Sequence, residues 1–286
     1  MPELPEVETI VKDLRKKIVS QKIIDIDIRL KKIVKNKPDV FCRILINKSF
    51  QKIIRRGKYI FFQIKQEKKY LMIHLRMTGQ LIYQKGDKII AGGHSDRKNI
   101  LEFPNKQTHI IFYFKNGSRL FYNDQRQFGI LKIINQEEFN LIDRKQGIEP
   151  LADNFSLQKF KELISRKKKN IKAFLLDQSL IAGIGNIYAD ESLFKAGISP
   201  FRKTSDLNEK EKTALYRAVR HLLKKALKYR GTTFNDYRDA YGRQGNFLNK
   251  LKIYGRDGKK CFRCGKEIKK VKLAGRGTRY CSYCQK

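Results

Sequence analysis

The sequence contains no tryptophan, only six prolines and three methionines, and fewer than half as many acidic residues as basic ones. No apolar run approaches the roughly 20 residues that a membrane-spanning helix needs. The first 20 residues carry Glu3, Glu6, Glu8 and Asp13, and they lack the central apolar stretch of an export signal. We therefore expect a cytoplasmic protein with no membrane partner.

Cysteine is scarce outside one segment, since four of the five cysteines lie within the last 26 residues. A disulfide framework spreads its cysteines more widely, so this grouping favours a reducing compartment and a bound metal. Two Cys-x-x-Cys pairs, "CFRC" and "CSYC", stand sixteen residues apart. They predict one structural zinc ion, because four protein ligands leave no open position for catalysis. The predicted ligands are Cys261, Cys264, Cys281 and Cys284. No organic cofactor is expected, and Cys42 is predicted to be a buried core thiol.

Positive charge is abundant, with 64 lysines and arginines against 28 acidic residues and a formal net charge of +36. The basic residues are spread over the whole chain. Such a field favours a polyanionic partner, with nucleic acid ahead of a membrane surface. The chain is also rich in Lys, Ile, Asn, Tyr and Phe, which is typical of A/T-rich genes, so part of the lysine content can reflect codon bias.

The periodicity of apolar residues changes twice along the chain. Residues 3–19 have helical spacing, whereas residues 22–134 consist of short β-branched and aromatic runs separated by turns, which predict a sandwich or barrel. After "GIEP" the pattern becomes helical, with the longest helix predicted over residues 208–230 and a stop at Gly231. A polar loop over residues 231–250 precedes the cysteine module. The fold class predicted is α+β.

The opening "MPELPE" allows two interpretations. Removal of Met1 leaves the secondary amine of Pro2 at the chain start, and such an amine titrates about two units below a lysine. It is then a nucleophile close to two carboxylates. Alternatively, Pro5 and the acidic residues simply begin a helix.

Two further stretches indicate phosphate binding. In "AGIGNIYADE", Gly183 and Gly185 precede Asn186, which can cap the next helix, and the basic "SRKKKNIK" lies just upstream. In "AGRGTRY", the residues around Arg276 have the composition of a hairpin tip that carries one arginine to phosphate or to the minor groove. An ordinary turn remains the alternative in each case.

Five motifs in one order resemble the formamidopyrimidine-DNA glycosylase family over essentially the whole chain. They are "PELPEVET", "HLRMTG", "DQRQFG", "LLDQSLIAGIGNIYADESLF" and the cysteine module with "GRGTRYC". The resemblance implies an N-terminal β-sandwich with flanking helices, a helix–two-turn–helix domain and a zinc-finger β-hairpin. The corresponding domains are residues 1–135 for catalysis, residues 136–250 for DNA binding with the lesion loop, and residues 251–286 for the finger.

The resemblance also implies an activity and a chemistry. The family removes oxidised purines, such as 8-oxoguanine and formamidopyrimidines, from double-stranded DNA and then cleaves the abasic site by β,δ-elimination. Pro2 is the implied nucleophile, so the active form is predicted to lack Met1. Glu3 is the implied general acid, and Glu6 holds the amine and its surroundings. Lys58 assists β-elimination, and Arg276 assists δ-elimination.

The resemblance implies DNA contacts as well. Three side chains fill the space that an extruded nucleotide leaves: Met77, Arg126 and Phe128. Read alone, without the resemblance, Met77 and Phe128 fit a core better than a DNA contact. Backbone phosphates are the implied partners of Gln107, Lys168, Asn186 and Tyr254, with Lys172 on the same surface. Gln107 stands where the family commonly has a histidine, so this contact carries no charge. His74 and His109 are predicted to be structural.

Three alternatives stay open at this point. An endonuclease VIII-type glycosylase for oxidised pyrimidines usually begins "PEGPE", and Leu4 with "DQRQFG" favours the purine-directed type. A catalytically silent damaged-DNA-binding protein would keep the finger but not Pro2, Glu3 and Lys58 together. A zinc-ribbon RNA-binding protein would not carry the N-terminal motif. A monomer is expected.

Overall fold

A computed structural model describes residues 1–86, 88–94, 103–232, 237–238 and 246–286. The chain forms two compact units, each built from two stretches of sequence. The first contains Met1–Arg144 and Tyr229–Leu248, and the second contains Lys145–Lys228 and Asn249–Lys286.

The first unit begins with helix α1, Leu4–Ile18, which confirms the helix predicted from apolar spacing. Its start is fixed by a capping box in which Glu3 and Glu6 each accept a main-chain N–H of the other. Its apolar face, from Val7 to Leu14, is buried in the main core of the unit. The chain start is therefore held in place from both the helix end and the core.

Ten strands of the described residues form the two sheets of the first unit. In chain order they are β1 Ile23–Ile28, β2 Phe50–Arg56, β3 Tyr59–Ile64, β4 Lys69–His74, β5 Gly79–Lys85, β6 Lys88–His94, β7 Thr108–Phe114, β8 Arg119–Asp124, β9 Ile130–Asn135 and β10 Tyr237–Arg238. One sheet has the order β1-β7-β8-β5-β6-β10 and the other β2-β3-β4-β9. The predicted β-sandwich is thus confirmed.

Two helices of the first unit were not expected from the sequence. Helix α2, Pro38–Leu45, starts with proline at its first position, where the missing N–H costs nothing. Helix α3, Gln136–Lys145, starts where Asn135 and Glu138 exchange side-chain bonds with each other's main-chain N–H. Both helices are short and lie beside strands in the sequence. The spacing of their few apolar residues therefore does not distinguish a helix from a strand. Cys42 on α2 is half-buried against the core rather than fully buried.

Helices dominate the second unit. They are α4 Leu157–Ser165, α5 Ile171–Leu176, α6 Asn186–Ala196 and α7 Glu209–Lys228. The side chain of Ser156 caps α4 and that of Asn170 caps α5, while Gly197 ends α6 in the left-handed conformation. The hairpin of β11, Lys269–Leu273, and β12, Arg276–Tyr280, follows. Among the helices of the described residues, none is long and apolar enough to cross a bilayer.

Candidate functional site

The predicted nucleophile and its two acids are buried at the start of α1. Glu3 and Glu6 are each 2% exposed. One oxygen of the Glu6 carboxylate accepts the Glu3 N–H at 2.9 Å, and the other accepts the Thr232 N–H at 2.7 Å. Gly231 has φ of +86° and packs so closely that a Cβ there would lie 2.8 Å from Glu6 Oε1. Glu6 therefore ties the chain start to residues near the end of the first unit.

The charges of this region act on the terminal amine. Burial lowers the pKa of the Met1 amine; the carboxylates of Glu3 and Glu6 oppose this shift, while Lys58 and Arg126 add to it. Lys58 is itself buried, in the turn between β2 and β3 that Gly57 makes in a left-handed conformation. The structure thus brings Glu3, Glu6 and Lys58 together around the first residues of the chain.

Three predicted DNA-inserting side chains lie on two loops of the same unit. Met77, 38% exposed, follows β4, and Phe128, 54% exposed, follows β8. The guanidinium of Arg126 lies over the Phe128 ring at 4.8 Å from its centroid. The core alternative for Met77 and Phe128 is therefore excluded.

Gln107 is half-buried, and its main chain holds the loop before β7 in place. Its N–H donates to Asn105 Oδ1 at 3.0 Å, and its carbonyl accepts the Asp124 N–H at 3.0 Å. Close by, His109 is buried, with Nε2 at 2.8 Å from the carbonyl oxygen of Asp124.

His74 is buried at the end of β4, where it supports the loop that carries Met77. Its Nδ1 accepts the Arg76 N–H at 3.0 Å, which requires an unprotonated nitrogen. Burial, together with the charges of Arg76 and Lys58, lowers its pKa to about 3. His74 is therefore neutral across the physiological range, in keeping with the predicted structural role.

Two expectations about the second unit were wrong. Lys172 does not belong to the phosphate surface: its side chain is fully buried and pairs with Asp190 at 2.7 Å and with the Thr278 hydroxyl at 2.7 Å. Asn186 does not cap α6, because Gly185 is the cap residue and Asn186 is the first helical one. The Asn186 amide instead donates to the Gly277 carbonyl at 2.9 Å.

Arg276 is exposed at the start of β12. The hairpin tip is one step earlier than predicted, since Ala274 and Gly275 both have positive φ and form a two-residue turn. Further along the same strand, the Arg279 N–H donates to Asp190 at 3.0 Å. The strand that begins with Arg276 is thus joined to α5 and α6 through Lys172, Asp190 and Asn186.

Glu191 and Asp190 were missed by sequence reasoning. The Glu191 carboxylate accepts the consecutive main-chain N–H groups of residues 252, 253 and 254 at 2.8–3.0 Å. This fixes Tyr254, whose ring carries the Arg279 guanidinium at 4.4 Å from its centroid. The signal that could have found them is their place in an apolar helical stretch, beside Leu193 and Phe194. Acids in such a stretch are buried, and buried acids need bonding partners.

Lys168 is exposed between α4 and α5, within the basic stretch predicted to bind phosphate. Gln178 was not singled out, but its amide organises the turn before α6. It donates to the Ile184 carbonyl at 2.7 Å and accepts the Gly183 N–H at 2.9 Å. The resemblance makes residues 235–248 of the polar loop the segment that closes over the extruded base, and most of them lie outside the described residues.

The four terminal cysteines form one cluster whose sulfur atoms all lie within 4.8 Å of one another. The Sγ atoms of Cys261 and Cys284 are 3.9 Å apart, and those of Cys264 and Cys281 are 3.5 Å apart. Four sulfurs at zinc–sulfur bond length around a tetrahedral ion stand about 3.8 Å apart. The cluster therefore fits a structural zinc ion.

Family models match three parts of the chain. They describe the formamidopyrimidine-DNA glycosylase N-terminal domain over residues 1–131, the H2TH domain of the same enzymes over residues 146–238, and a zinc finger found in FPG and IleRS over residues 258–286.

Full-length relatives give the same result. Formamidopyrimidine-DNA glycosylases from Carboxydothermus hydrogenoformans and Desulforamulus reducens are 41% and 40% identical, and each match covers 100% of this chain and at least 99% of the relative. Wild-type Lactococcus lactis Fpg (MutM), solved with a DNA that contains N7-benzyl-Fapy-dG, is 37% identical with a TM-score of 0.87, covering 99% of both chains. The chain therefore belongs to the formamidopyrimidine-DNA glycosylase family.

Proposed function

We propose that this DNA glycosylase of base-excision repair removes 8-oxoguanine and formamidopyrimidines from double-stranded DNA and then cleaves the abasic strand by β,δ-elimination. The observation that carries the proposal is made at the chain start. Glu3, Glu6 and Lys58 are buried there, and their charges shift the pKa of the Met1 amine. Removal of Met1 would leave the amine of Pro2 beside the same groups, and only the neutral form of an amine is nucleophilic.

The proposed chemistry begins after removal of Met1, which frees the Pro2 nitrogen. Pro2 forms a bond to C1′ as the base leaves with the electrons of its bond to C1′. Glu3 protonates the ring oxygen, so that the bond from C1′ to this oxygen breaks and the sugar ring opens. A secondary amine yields a positively charged iminium directly. When the C2′ proton leaves, its bonding electrons pass to the iminium and form an enamine. The enamine then expels the 3′ phosphate together with the bonding electrons of that group, which is β-elimination.

Two cations assist the two eliminations in this proposal. Lys58 binds the phosphate of the lesion nucleotide and favours departure of the 3′ phosphate. Arg276 binds phosphate and favours the second, δ-elimination, which releases the 5′ phosphate and frees the sugar remnant. Hydrolysis finally restores the Pro2 amine.

DNA binding in this proposal combines extrusion of the damaged nucleotide with contacts to the backbone. Met77, Arg126 and Phe128 fill the vacated stack, because a damaged base inside a duplex is reached only by extrusion. Phosphates are bound by Gln107, Lys168, Asn186 and Tyr254. We further propose the division into residues 1–135, 136–250 and 251–286 for catalysis, DNA binding and the zinc finger, and a monomeric enzyme.

Borohydride trapping tests the mechanism. The enzyme is mixed with a duplex that holds one 8-oxoguanine opposite cytosine, and the reductant converts an iminium into a stable protein–DNA crosslink. We expect a crosslink with the native chain and a strong loss with Pro2→Gly. Pro38→Ala, which alters another proline at a helix start, is the matched control and should crosslink normally.

A thymine glycol duplex and N-terminal mass analysis complete this test. Efficient trapping only on thymine glycol would assign the enzyme to oxidised pyrimidines instead. Tight DNA binding without any crosslink would indicate a silent binding protein. Met1 retained on active enzyme would refute Pro2 as the nucleophile.

A further inference from the structure

Two loops of the first unit adjoin neighbouring strands at the same edge of the sheet. Residues 75–78 lead into β5, and residues 125–129 follow β8; in the β5–β8 pair, Gly79 stands opposite Asp124. Each loop contains one non-glycine residue of positive φ, Arg76 at 52° and Gln127 at 57°. Both loops are therefore tight turns that present their side chains from a common edge.

One buried carboxylate joins the two loops. Asp124 is 1% exposed, and its Oδ1 accepts hydrogen bonds from the Thr78 hydroxyl and, at 3.2 Å, from the Arg126 N–H. Its Oδ2 accepts the Gly129 N–H at 2.7 Å. Thr78 also accepts the Arg126 N–H at 3.0 Å, so the loops are bonded directly to each other.

A buried tyrosine hydroxyl fills the space between the same loops. Tyr122 is fully buried, and its hydroxyl donates to Asp124 Oδ2 at 3.3 Å. A Cβ on Gly79 would lie 2.7 Å from this hydroxyl, and a Cβ on Gly129 would lie 1.5 Å from it. The two motif glycines therefore let both loops pack against the Tyr122 hydroxyl.

We propose that Asp124, with Tyr122 and Thr78, is a positioning residue that makes Met77, Arg126 and Phe128 enter the DNA stack as one preorganised unit. Insertion must overcome the cost of unstacking a base. Side chains on independent loops would in addition lose conformational freedom on insertion, whereas joined loops have lost it already. This inference rests on the proposed insertion roles, and it assigns to Asp124 no contact with DNA or with the reacting atoms.

A double-mutant cycle tests this proposal. Asp124→Asn and Thr78→Val are each made in the native chain and in a chain that already carries Met77→Ala, Arg126→Ala and Phe128→Ala. The measured quantity is the single-turnover rate of 8-oxoguanine excision. We expect a loss of about tenfold in the native background and less than about twofold in the triple-alanine background, because the positioned side chains are then absent. Equal losses in both backgrounds would overturn the proposal.

A second assay measures insertion into the DNA stack without base excision. A duplex with a tetrahydrofuran abasic analogue opposite 2-aminopurine reports unstacking by fluorescence, so the outcome does not depend on which lesion the enzyme excises. We expect Thr78→Val to weaken the fluorescence change at saturating protein, while Thr213→Val, which loses a hydroxyl bond on α7 instead, behaves as the native chain. An unchanged signal in Thr78→Val and Asp124→Asn, or no signal from the native chain, would overturn the proposal.

The same two assays separate this proposal from the proposed function. If the native chain inserts into the tetrahydrofuran duplex but excises no 8-oxoguanine, the substrate assignment fails and the fluorescence comparison still decides the role of Asp124. If the native chain excises 8-oxoguanine and the variants do so equally well, the substrate assignment stands and the positioning role fails. Thermal unfolding of each variant is measured alongside, and Thr78→Val, on a half-buried residue, covers the case in which Asp124→Asn does not fold.

Discussion

Buried acids of this protein bind main-chain N–H groups as well as basic side chains. Glu6 binds two such groups, Asp124 two and Glu191 three, and in each case the bonds fix a loop next to a candidate functional residue. A carboxylate that accepts several N–H groups is well solvated despite its burial. In a strongly basic chain, these acids therefore position segments of the chain that carry the proposed site.

His74 gives a pH-dependent contribution to stability. Its pKa of about 3 in the folded chain lies below the value of an exposed histidine, so the unfolded chain binds the proton more readily. The stabilisation is complete above pH 6.5 and is lost as the pH falls toward 3. As the pH falls through this window, we expect the unfolding free energy of the native chain to decrease by about 1.4 kcal/mol per pH unit relative to that of His74→Phe.

Urea unfolding at several pH values measures this difference. His221→Phe is the control, since His221 is exposed on α7, where burial and the charges of Lys195 and Lys225 lower its pKa, whereas His74 is buried. A pH-independent difference for His74→Phe would show that the buried imidazole is not the titrating group.

Some side-chain roles could be read from the sequence, and others could not. Exposure of Phe128 followed from the motif resemblance, which implied that this side chain inserts into DNA. Lys172 was wrongly placed on the surface and Asn186 was wrongly given the cap of α6, because a basic stretch and a helix start look alike in sequence whether or not another segment packs on them. The finger hairpin, about a hundred residues later in the chain, supplies the bonding partners of both side chains.

At the scale of elements, one buried ion pair joins α5 to α6, and the finger hairpin bonds to both of its members through the Thr278 hydroxyl and the Arg279 N–H. Both side chains of the Lys172–Asp190 pair are fully buried. Burial raises the pKa of Asp190 to about 6, while Lys172 and the Arg279 N–H act in the opposite direction. Substitution of either partner alone would leave the other one buried without its counter-charge, at a large cost in stability.

Asp190→Asn should destabilise the second unit by about 3–5 kcal/mol, because it leaves the Lys172 ammonium buried without its counter-charge. Since β12 begins with Arg276, we also expect a higher ratio of β- to β,δ-elimination product. Glu162→Gln is the control: it removes an exposed pair with Lys159, worth less than about 1 kcal/mol. Equal effects of the two substitutions on unfolding and on product ratio would contradict this account.

The zinc finger gives a second element-level prediction. Cys281→Ser should abolish zinc binding and unfold the hairpin, because a module of this size depends on the metal for its folding energy. Cys42→Ser, which alters a cysteine outside the cluster, should retain one zinc per chain. Metal content by atomic absorption distinguishes the two, and a full zinc complement in Cys281→Ser would refute the ligand assignment.

Secondary structure was predictable where apolar spacing was regular over a long segment, as in α1 and α7. Helices α2 and α3 escaped prediction because eight to ten residues beside strands carry too few turns to display helical spacing. The pairing of β10 with β6 joins residues about 145 positions apart, and no local pattern encodes such a contact.

At the scale of the whole molecule, the formal charge of +36 predicts strongly salt-dependent binding. Each neutralised phosphate releases counterions, so six such contacts reduce affinity about 10³-fold between 50 and 200 mM salt. Fluorescence anisotropy with an undamaged duplex measures this slope. Lys168→Gln should lower the slope by about 1, and Lys159→Gln should leave it unchanged. A flat salt response in the native chain would mean that the lysine content reflects codon bias.

The bond between Glu6 and Thr232 has a consequence for biosynthesis. The first unit includes Tyr229–Leu248, so it cannot be completed until most of the chain has left the ribosome. At roughly 5–20 residues per second, that interval is on the order of 10–50 s. During this time the first residues are not yet enclosed, and a peptidase can reach the initiator methionine. For the proposed removal of Met1, the discontinuous unit therefore leaves an interval before Pro2 and Glu3 become buried.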